Sequence, residues 1–326
     1  MYVEVFENGE LDLDHYMYLL NIYISKVKLV TVSAASNVTG FINPIHKMAK
    51  MAHRYGIRIL IDASQIMAHR KLDVKPDWDE EHLDFVVFTG HKMYAPFGIG
   101  VLIGPKEFFD MANPDMLGGG IVKVVLSDTV YLADSPERHE AGTPNILGAV
   151  GLASAIKVFE SIGDTEVIRH ENELVQHLLS GLMRLENISI YGSVDSDPLK
   201  RVGTVSFNMG GTFHALVAAI LSYEYGIGVR NGCFCAHPYV LSLLNVGKQM
   251  QSEFAQHILN GNKSQVPGMV RVSLGLYNTI NEVDILLLAL KNIKSGTFNQ
   301  KYVFDESQGT YKPKDWNINI HDYFKI

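Results

Sequence analysis

Three short apolar runs in the first third of the chain each end in side chains that do chemistry. Ser36 and Asn37 follow KLVTVS (28–33), Asp62 and Gln65 follow RILI (58–61), and Thr89, His91 and Lys92 follow DFVVF (84–88). An amine, a carboxylate and an imidazole are the groups of covalent and general acid–base catalysis. In an open parallel sheet, ligands sit beyond the carboxyl ends of the strands. Taken singly, each residue has a plainer reading: Asn37 ahead of Thr39-Gly40 as turn chemistry, Asp62 as a helix N-cap, Lys92 as a surface lysine. Their coincidence at the ends of three successive runs is what favours a site.

A second group lies far down the chain, in VRNGCFCAHPY (229–239). Cys235 stands five residues after Arg230, in a stretch that carries Gly232 and Pro238, and Cys233 is the only other cysteine. Taken by itself, a cysteine of this kind reads first as a small buried hydrophobe; a thiol near a cation on a loop that Gly232 and Pro238 can make mobile is the nucleophilic alternative. Cys233, Cys235 and His237 also form a C-x-C-x-H cluster. Structural zinc sites more often use two pairs of C-x-x-C type, and no second pair occurs, so no metal is expected.

The elements that must position these groups read as α/β. KLVTVS (28–33), RILIDA (58–63), DFVVFT (84–89) and GIGVLIG (98–104) show little polar alternation, as in a sheet covered on both faces. PIHKMAKMAHRYG (44–56), with Pro44 near its start and Gly56 as a stop, predicts the helix of a βαβ unit and a mostly parallel sheet. Helices are predicted over 146–163, 164–186, 212–226 and 282–296, and strands over 204–210 and 269–275. The polar segment 246–267 reads as partly loop or insertion. The resulting division is a large domain over 1–160, a smaller α+β domain over 161–296 and a tail over 297–326.

The 326 residues are 47% hydrophobic and 19% charged, ample for one large or two ordinary cores. A net charge of −7 gives no basic excess for a phosphate backbone, so nucleic acid is not an expected partner. No apolar run approaches the ~20 residues that span a bilayer. The first residues are acidic and lack a signal-peptide core. Two cysteines so close together suggest no disulfide framework, and a cytoplasmic setting is expected.

SNVTGFINP, IDASQIMAH, FVVFTGHKMYAPFGIGVLIG, EAGTPN, VRNGCFCAHPY and RVSLGLYNT follow one another between about residues 28 and 290. In that order they resemble the motifs of the class V aminotransferase-fold enzymes that use pyridoxal 5'-phosphate (PLP), and among these the cysteine desulfurase and selenocysteine lyase group. The resemblance implies the PLP-dependent transferase fold of type I, a mostly parallel sheet with helices on both faces plus the smaller C-terminal domain. It implies that Lys92 holds PLP covalently and acts as base at the substrate Cα, and that Asp62 keeps the pyridine nitrogen protonated. Gln65 and Asn37 would bond the phenolic oxygen, and Thr89 and His91 the phosphate. Thr143 of EAGTPN would reach the site of a partner subunit, which implies a homodimer. Arg271 would bind the substrate carboxylate, with Arg230 as second candidate and Asn37 beside them, because a carboxylate suits a planar two-pronged cation. Cys235 would take sulfur from L-cysteine or a similar amino acid, leaving L-alanine and an enzyme persulfide for a sulfur-acceptor protein.

Two departures from that pattern carry further expectations. The positions before Cys235, often histidines in the family, are Cys233 and Phe234, and the extra thiol could share or replace the role of Cys235. The family's segment ahead of the Asn37 strand, with a ring-stacking histidine and a phosphate-binding threonine, is not found here. The expectation is therefore a truncated chain, a misassigned start or one half of a split protein, with apolar surface exposed to a complementary partner. Competing readings are another enzyme of this fold (lyase, epimerase or aminotransferase-like) and a PLP-deficient subunit.

Overall fold

A computed structural model describes residues 1–264, 266–299, 301–316, 321 and 324. Its chain divides into two compact units. The first comprises Met1–Glu4, Leu11–Ser36 and Ile42–Ile168; the second comprises Val5–Glu10, Asn37–Phe41 and Arg169–Ile326.

In the first unit, α1 (Leu13–Ile22) is started by Asp12, whose carboxylate accepts from the backbone N–H groups of Asp14 and His15. Such an N-cap satisfies donors that the first turn leaves unpaired. Tyr16 and Leu20 are the buried face of α1, and the Tyr16 hydroxyl donates to Met48 O at 3.1 Å. That bond seats α1 on α2 (Ile45–His53), which buries Ile45, Met48, Ala49 and Ala52. The i, i+3, i+4, i+7 spacing of those four residues is why the segment 44–56 reads as a helix from its sequence.

The sheet of this unit has the order β1 (Leu29–Ser33), β2 (Arg58–Asp62), β3 (Phe85–Thr89), β4 (Gly100–Ile103). The β1–β2 and β2–β3 pairings are parallel and β3–β4 is antiparallel. Register aligns Ser33, Asp62 and Val87, so the carboxyl ends of the three parallel strands coincide. The strands expected from apolar runs all form. The central strands are the most enclosed: Ile59 and Ile61 of β2 and Phe85, Val86 and Phe88 of β3 are buried. β1 and β4 are the edges among the described residues, and Leu29, Leu102 and Ile103 are exposed.

Beyond β4 come α3 (Lys106–Met111), the antiparallel pair β5 (Val122–Val125) and β6 (Val130–Leu132), and α4 (Ile146–Ile162). The α4 sequence is apolar nearly all round, yet only Gly148 and Leu152 are buried. Ile146, Leu147, Val150 and Val158 are exposed.

α5 (Asp164–Met183) leads into the second unit, whose sheet has the order β7 (Ile188–Tyr191), β8 (Thr204–Met209), β10 (Met269–Ser273), β9 (Arg230–Gly232), antiparallel throughout. α6 (His214–Tyr225), α7 (His237–Leu243), α8 (Lys248–Leu259) and α9 (Ile280–Lys294) complete it, with a hairpin of β11 (Tyr302–Asp305) and β12 (Thr310–Pro313). One core joins Leu174, Leu178 and Leu182 of α5, Val205 and Phe207 of β8, Val217 and Ile220 of α6, Val270 and Val272 of β10, and Leu286 and Leu290 of α9. The segment 246–267, read as partly loop, contains the twelve-residue helix α8. It buries no residue, so the apolar spacing that betrays a helix is missing from it. Part of the expected tail lies outside the described residues. Among the described residues no single helix is long and apolar enough to cross a membrane.

Candidate active site

Within the first unit, the ends of β2 and β3 gather one set of polar side chains. Asp62 is the last residue of β2; it is exposed, and its Oδ1 accepts from Ser64 N at 2.9 Å, the local turn that a short carboxylate favours. The chain then enters a short 3-10 turn, Ile66–Ala68, just after Gln65. The Gln65 side chain bridges two groups: Nε2 lies 3.3 Å from His69 Nε2, and Oε1 accepts from Lys92 Nζ at 3.4 Å. His69, a buried residue the sequence did not single out, thus sets the amide that faces Lys92.

Lys92 sits in the 3-10 turn Gly90–Met93 that directly follows β3. The turn is forced into close approach: Gly90 N donates to Ile99 O at 2.8 Å, and a Cβ on Gly90 would stand 2.6 Å from Ile99 Cγ2. Only glycine fits, so the G-H-K spacing is a packing requirement as well as a chemical one. Thr89 Oγ1 and His91 Nδ1 are 2.7 Å apart, which couples a hydroxyl to an exposed imidazole one step from the amine. Thr143 is exposed, between Gly142 (φ +84°) and Asn145, whose side chain accepts from Gly148 N and caps α4. An amine, a carboxylate, an amide, a hydroxyl and an imidazole at one sheet edge are the donor set that PLP requires, so these residues fit that group.

The second unit holds the other set. Asn37 belongs to this unit. Its Nδ2 donates to Phe234 O at 2.7 Å and its own carbonyl accepts from Arg271 Nη1 at 2.9 Å. Arg201, buried and also unremarked in the sequence, anchors the same segment by donating to Thr39 O and Thr204 O. Arg271 lies on β10 with its guanidinium 5.1 Å above the Phe234 ring, a cation–π contact. Its neighbour in register on β9 is Arg230. Burial, and then the like charge of Arg230, hold the Arg271 pKa below its ordinary value, while a negative Cys235 acts in the opposite sense. The Arg271 Nε is buried without a hydrogen-bond partner. Two cationic forks side by side, one with an unused N–H, suit a carboxylate ligand.

The two thiols have different surroundings. Cys233 is buried with Val38, Phe234, Val240, Leu243 and Met269, and its Sγ donates to Pro267 O at 3.2 Å. Burial pushes its thiol pKa up, so it stays protonated and unreactive. Cys235 is exposed, and it and Phe234 hold left-handed backbone (φ +62° and +53°) that ordinary residues adopt at a cost. The reversal points the two side chains into different environments. His214, buried and within 3.1 Å of both Asn231 Oδ1 and Val266 O, braces the strand that carries Arg230.

Residues 1–286 match the aminotransferase class-V family. A probable cysteine desulfurase of Halalkalibacterium halodurans is 37% identical over 270 residues, covering 82% of this chain and 59% of the relative. A cysteine desulfurase of Dickeya dadantii is 32% identical over 288 residues, covering 88% and 62%. Among solved structures, apo cysteine desulfurase from Thermococcus onnurineus NA1 superposes with a TM-score of 0.76 at 35% identity, covering 91% of this chain and 66% of that one. Cysteine desulfurase CsdA (S-sulfonic acid) from Escherichia coli gives 0.74 at 26% identity, covering 90% and 64%. The chain thus spans about three fifths of the length of the curated relatives it matches.

Proposed function

Because the chain belongs to the aminotransferase class-V family, we propose that it is a PLP-dependent cysteine desulfurase in which Cys235 accepts the sulfur of L-cysteine. The observation that carries this reading is the contrast between the thiols: Cys235 is exposed in a left-handed turn near Arg271, whereas Cys233 is buried and bonded to Pro267 O. A nucleophile needs access and a nearby cation, and only Cys235 has both. The likeness to cysteine desulfurases in sequence and structure supports the same choice.

PLP, when bound, supplies the electron sink that lets the substrate's Cα lose its proton. Lys92 would hold the cofactor and, once displaced by the substrate, its amine would move that proton; in the free protein Gln65 Oε1, at 3.4 Å, accepts from the amine. Asp62 would keep a proton at the pyridine nitrogen, and Thr89 with His91 would bind the phosphate. Arg271, supported by Arg230, receives the substrate carboxylate, and Asn37 ties Arg271 to the backbone of the cysteine loop. The thiolate of Cys235 then attacks the substrate sulfur. Its S–S bond forms as the substrate Cβ–S bond breaks, the bonding electrons stay with Cβ, Cβ takes up a proton, and the Lys92 amine returns a proton to Cα, giving alanine. The persulfide left on an exposed cysteine is open to a sulfur-acceptor protein. Thr143, exposed on its loop, would reach a second copy of the chain, making a homodimer, and the unjoined thiols suit a reducing compartment such as the cytoplasm.

Visible absorbance tests the cofactor assignment. Purified chain given excess PLP should turn yellow, and Lys92→Ala should not. A wild-type chain that stays colourless would overturn the reading in favour of a PLP-deficient subunit.

A further inference from the structure

At the opposite end of β3 from Lys92, three side chains converge with no part in the chemistry above. His53 closes α2, His82 lies in the connection to β3, and Asp84 directly precedes that strand. His53 Nε2 is 2.9 Å from Asp84 Oδ2, His82 Nε2 is 3.7 Å from Asp84 Oδ1, and the two imidazole rings stack with centroids 4.2 Å apart. The Asp84 side chain is 8% exposed; those of His53 and His82 are 16% and 20% exposed, so the cluster is sheltered yet reachable from solvent.

The hydrogen bonds on the far side of each ring decide what this cluster presents. His53 Nδ1 lies 2.8 Å from Glu80 O, and His82 Nδ1 lies 2.7 Å from Asp79 O. A carbonyl oxygen only accepts, so each Nδ1 carries the ring proton. In the neutral rings both Nε2 lone pairs then aim at a carboxylate that is itself only an acceptor. Backbone carbonyls holding the distal nitrogens are the arrangement that orients histidines as metal ligands. Ile59 N donates to Asp84 Oδ2 at 2.9 Å, which fixes the carboxylate, and Arg58 Nε stands 3.9 Å from Oδ1, too far for a hydrogen bond.

We propose that His53, His82 and Asp84 form a site for a divalent transition-metal cation of the zinc class. The ligand atoms lie within 4.8 Å of one another. The N···O separations, 2.9 Å from His53 to Oδ2 and 3.7 Å from His82 to Oδ1, are to the two oxygens of one carboxylate and lie near the edge, about 3.3 Å, of a tetrahedron with bonds of about 2 Å. Three protein ligands leave a fourth position for water. The cation ties the end of α2 and the loop before β3 to the entrance of the sheet. This site lies apart from the cysteine cluster on which the expectation of no metal rested. The ligands are 29 and 2 residues apart, a spacing that has no sequence signature.

The test is a Zn²⁺ titration of the full chain, without added PLP, in competition with a chromophoric chelator. The Cys233→Ser/Cys235→Ser background removes the thiols as rival ligands. That protein should bind one Zn²⁺, and adding His82→Gln should weaken binding at least about a hundredfold, since losing even an outer-shell partner costs 10–100-fold. His82→Gln leaves the buried His53–Asp84–Ile59 contacts in place, and an unchanged melting temperature in the absence of metal confirms its fold. Co²⁺ gives an independent readout: visible d–d bands in the background protein that disappear with His82→Gln. A background protein that binds no Zn²⁺, or equal Zn²⁺ affinity with and without His82, would overturn the proposal and leave His53–Asp84 as an ion pair.

Discussion

Arg271 and Arg230 are cross-strand neighbours in the antiparallel pairing of β10 with β9. Like charges placed directly opposite one another on a sheet cost free energy. Here the arrangement persists with a buried, unbonded Nε on Arg271 and a phenyl ring under its guanidinium. A carboxylate bound between the two forks would relieve the repulsion.

Arg271→Ala should therefore lower kcat/KM for L-cysteine by roughly 30- to 1,000-fold, the effect of removing one partner of a buried charge pair at about 2–4 kcal/mol. Arg271→Lys should recover little of this, because an ammonium cannot make the two-pronged contact or stack flat on Phe234. Steady-state kinetics with L-cysteine measure both. Arg230→Ala should reduce activity less and leave the ligand-free protein no less stable in a thermal melt, because it removes a like charge.

The thiols should separate chemically. Iodoacetamide at neutral pH should label Cys235 rapidly and Cys233 only on unfolding, read by peptide mass spectrometry. Cys233→Ala should keep sulfide release.

Cys233 also carries a pH dependence. Its pKa is raised by burial in the folded state relative to the unfolded chain. The folded protein therefore holds this proton more tightly, and the stability tied to it is complete below the ordinary thiol pKa of about 8.5 and is lost as pH rises through the folded value. Denaturant melts of wild type should lose stability above about pH 8.5 more steeply than those of Cys233→Ala; identical pH slopes would contradict the buried, protonated thiol.

Gly90→Ala should destabilise the protein by about 1–3 kcal/mol, the usual cost of overpacking a tight site. The added methyl would meet Ile99 Cγ2 at 2.6 Å and displace the turn that carries Lys92. Thermal denaturation reads the loss, and reduced yellow colour at a fixed PLP concentration should accompany it.

Much of the first sheet was legible because β2 and β3 are continuous apolar runs bounded by polar turns, and their polar ends were visible as Asp62, Gln65, Thr89, His91 and Lys92. The antiparallel direction of β4 was not legible, since the run GVLI carries no mark of its partner's orientation. Nor was α8, whose exposed surface erases periodicity, or β9, whose three residues are too few to show any. The chemistry of the cysteine loop was only half legible. Arg230 and Cys235 stood out through the resemblance of the R-x-G-x-x-C-A segment to its family, but the inward turn of Cys233 depends on left-handed backbone at Phe234 and Cys235, where neither residue type announces it. Asn37 was read as one more group at the first sheet edge; its ties to Phe234 and Arg271 span about 200 residues of sequence and come only from the fold.

The most direct measurement incubates the PLP-supplemented chain with L-cysteine, quenches by alkylation and identifies the modified peptide by mass spectrometry while alanine is counted in parallel. Alanine should form together with a mass gain of one sulfur atom on the peptide bearing Cys235, and both should vanish in Cys235→Ala but persist in Cys233→Ala. Alanine and sulfide released at the wild-type rate by Cys235→Ala would contradict the assignment of this residue as the sulfur acceptor.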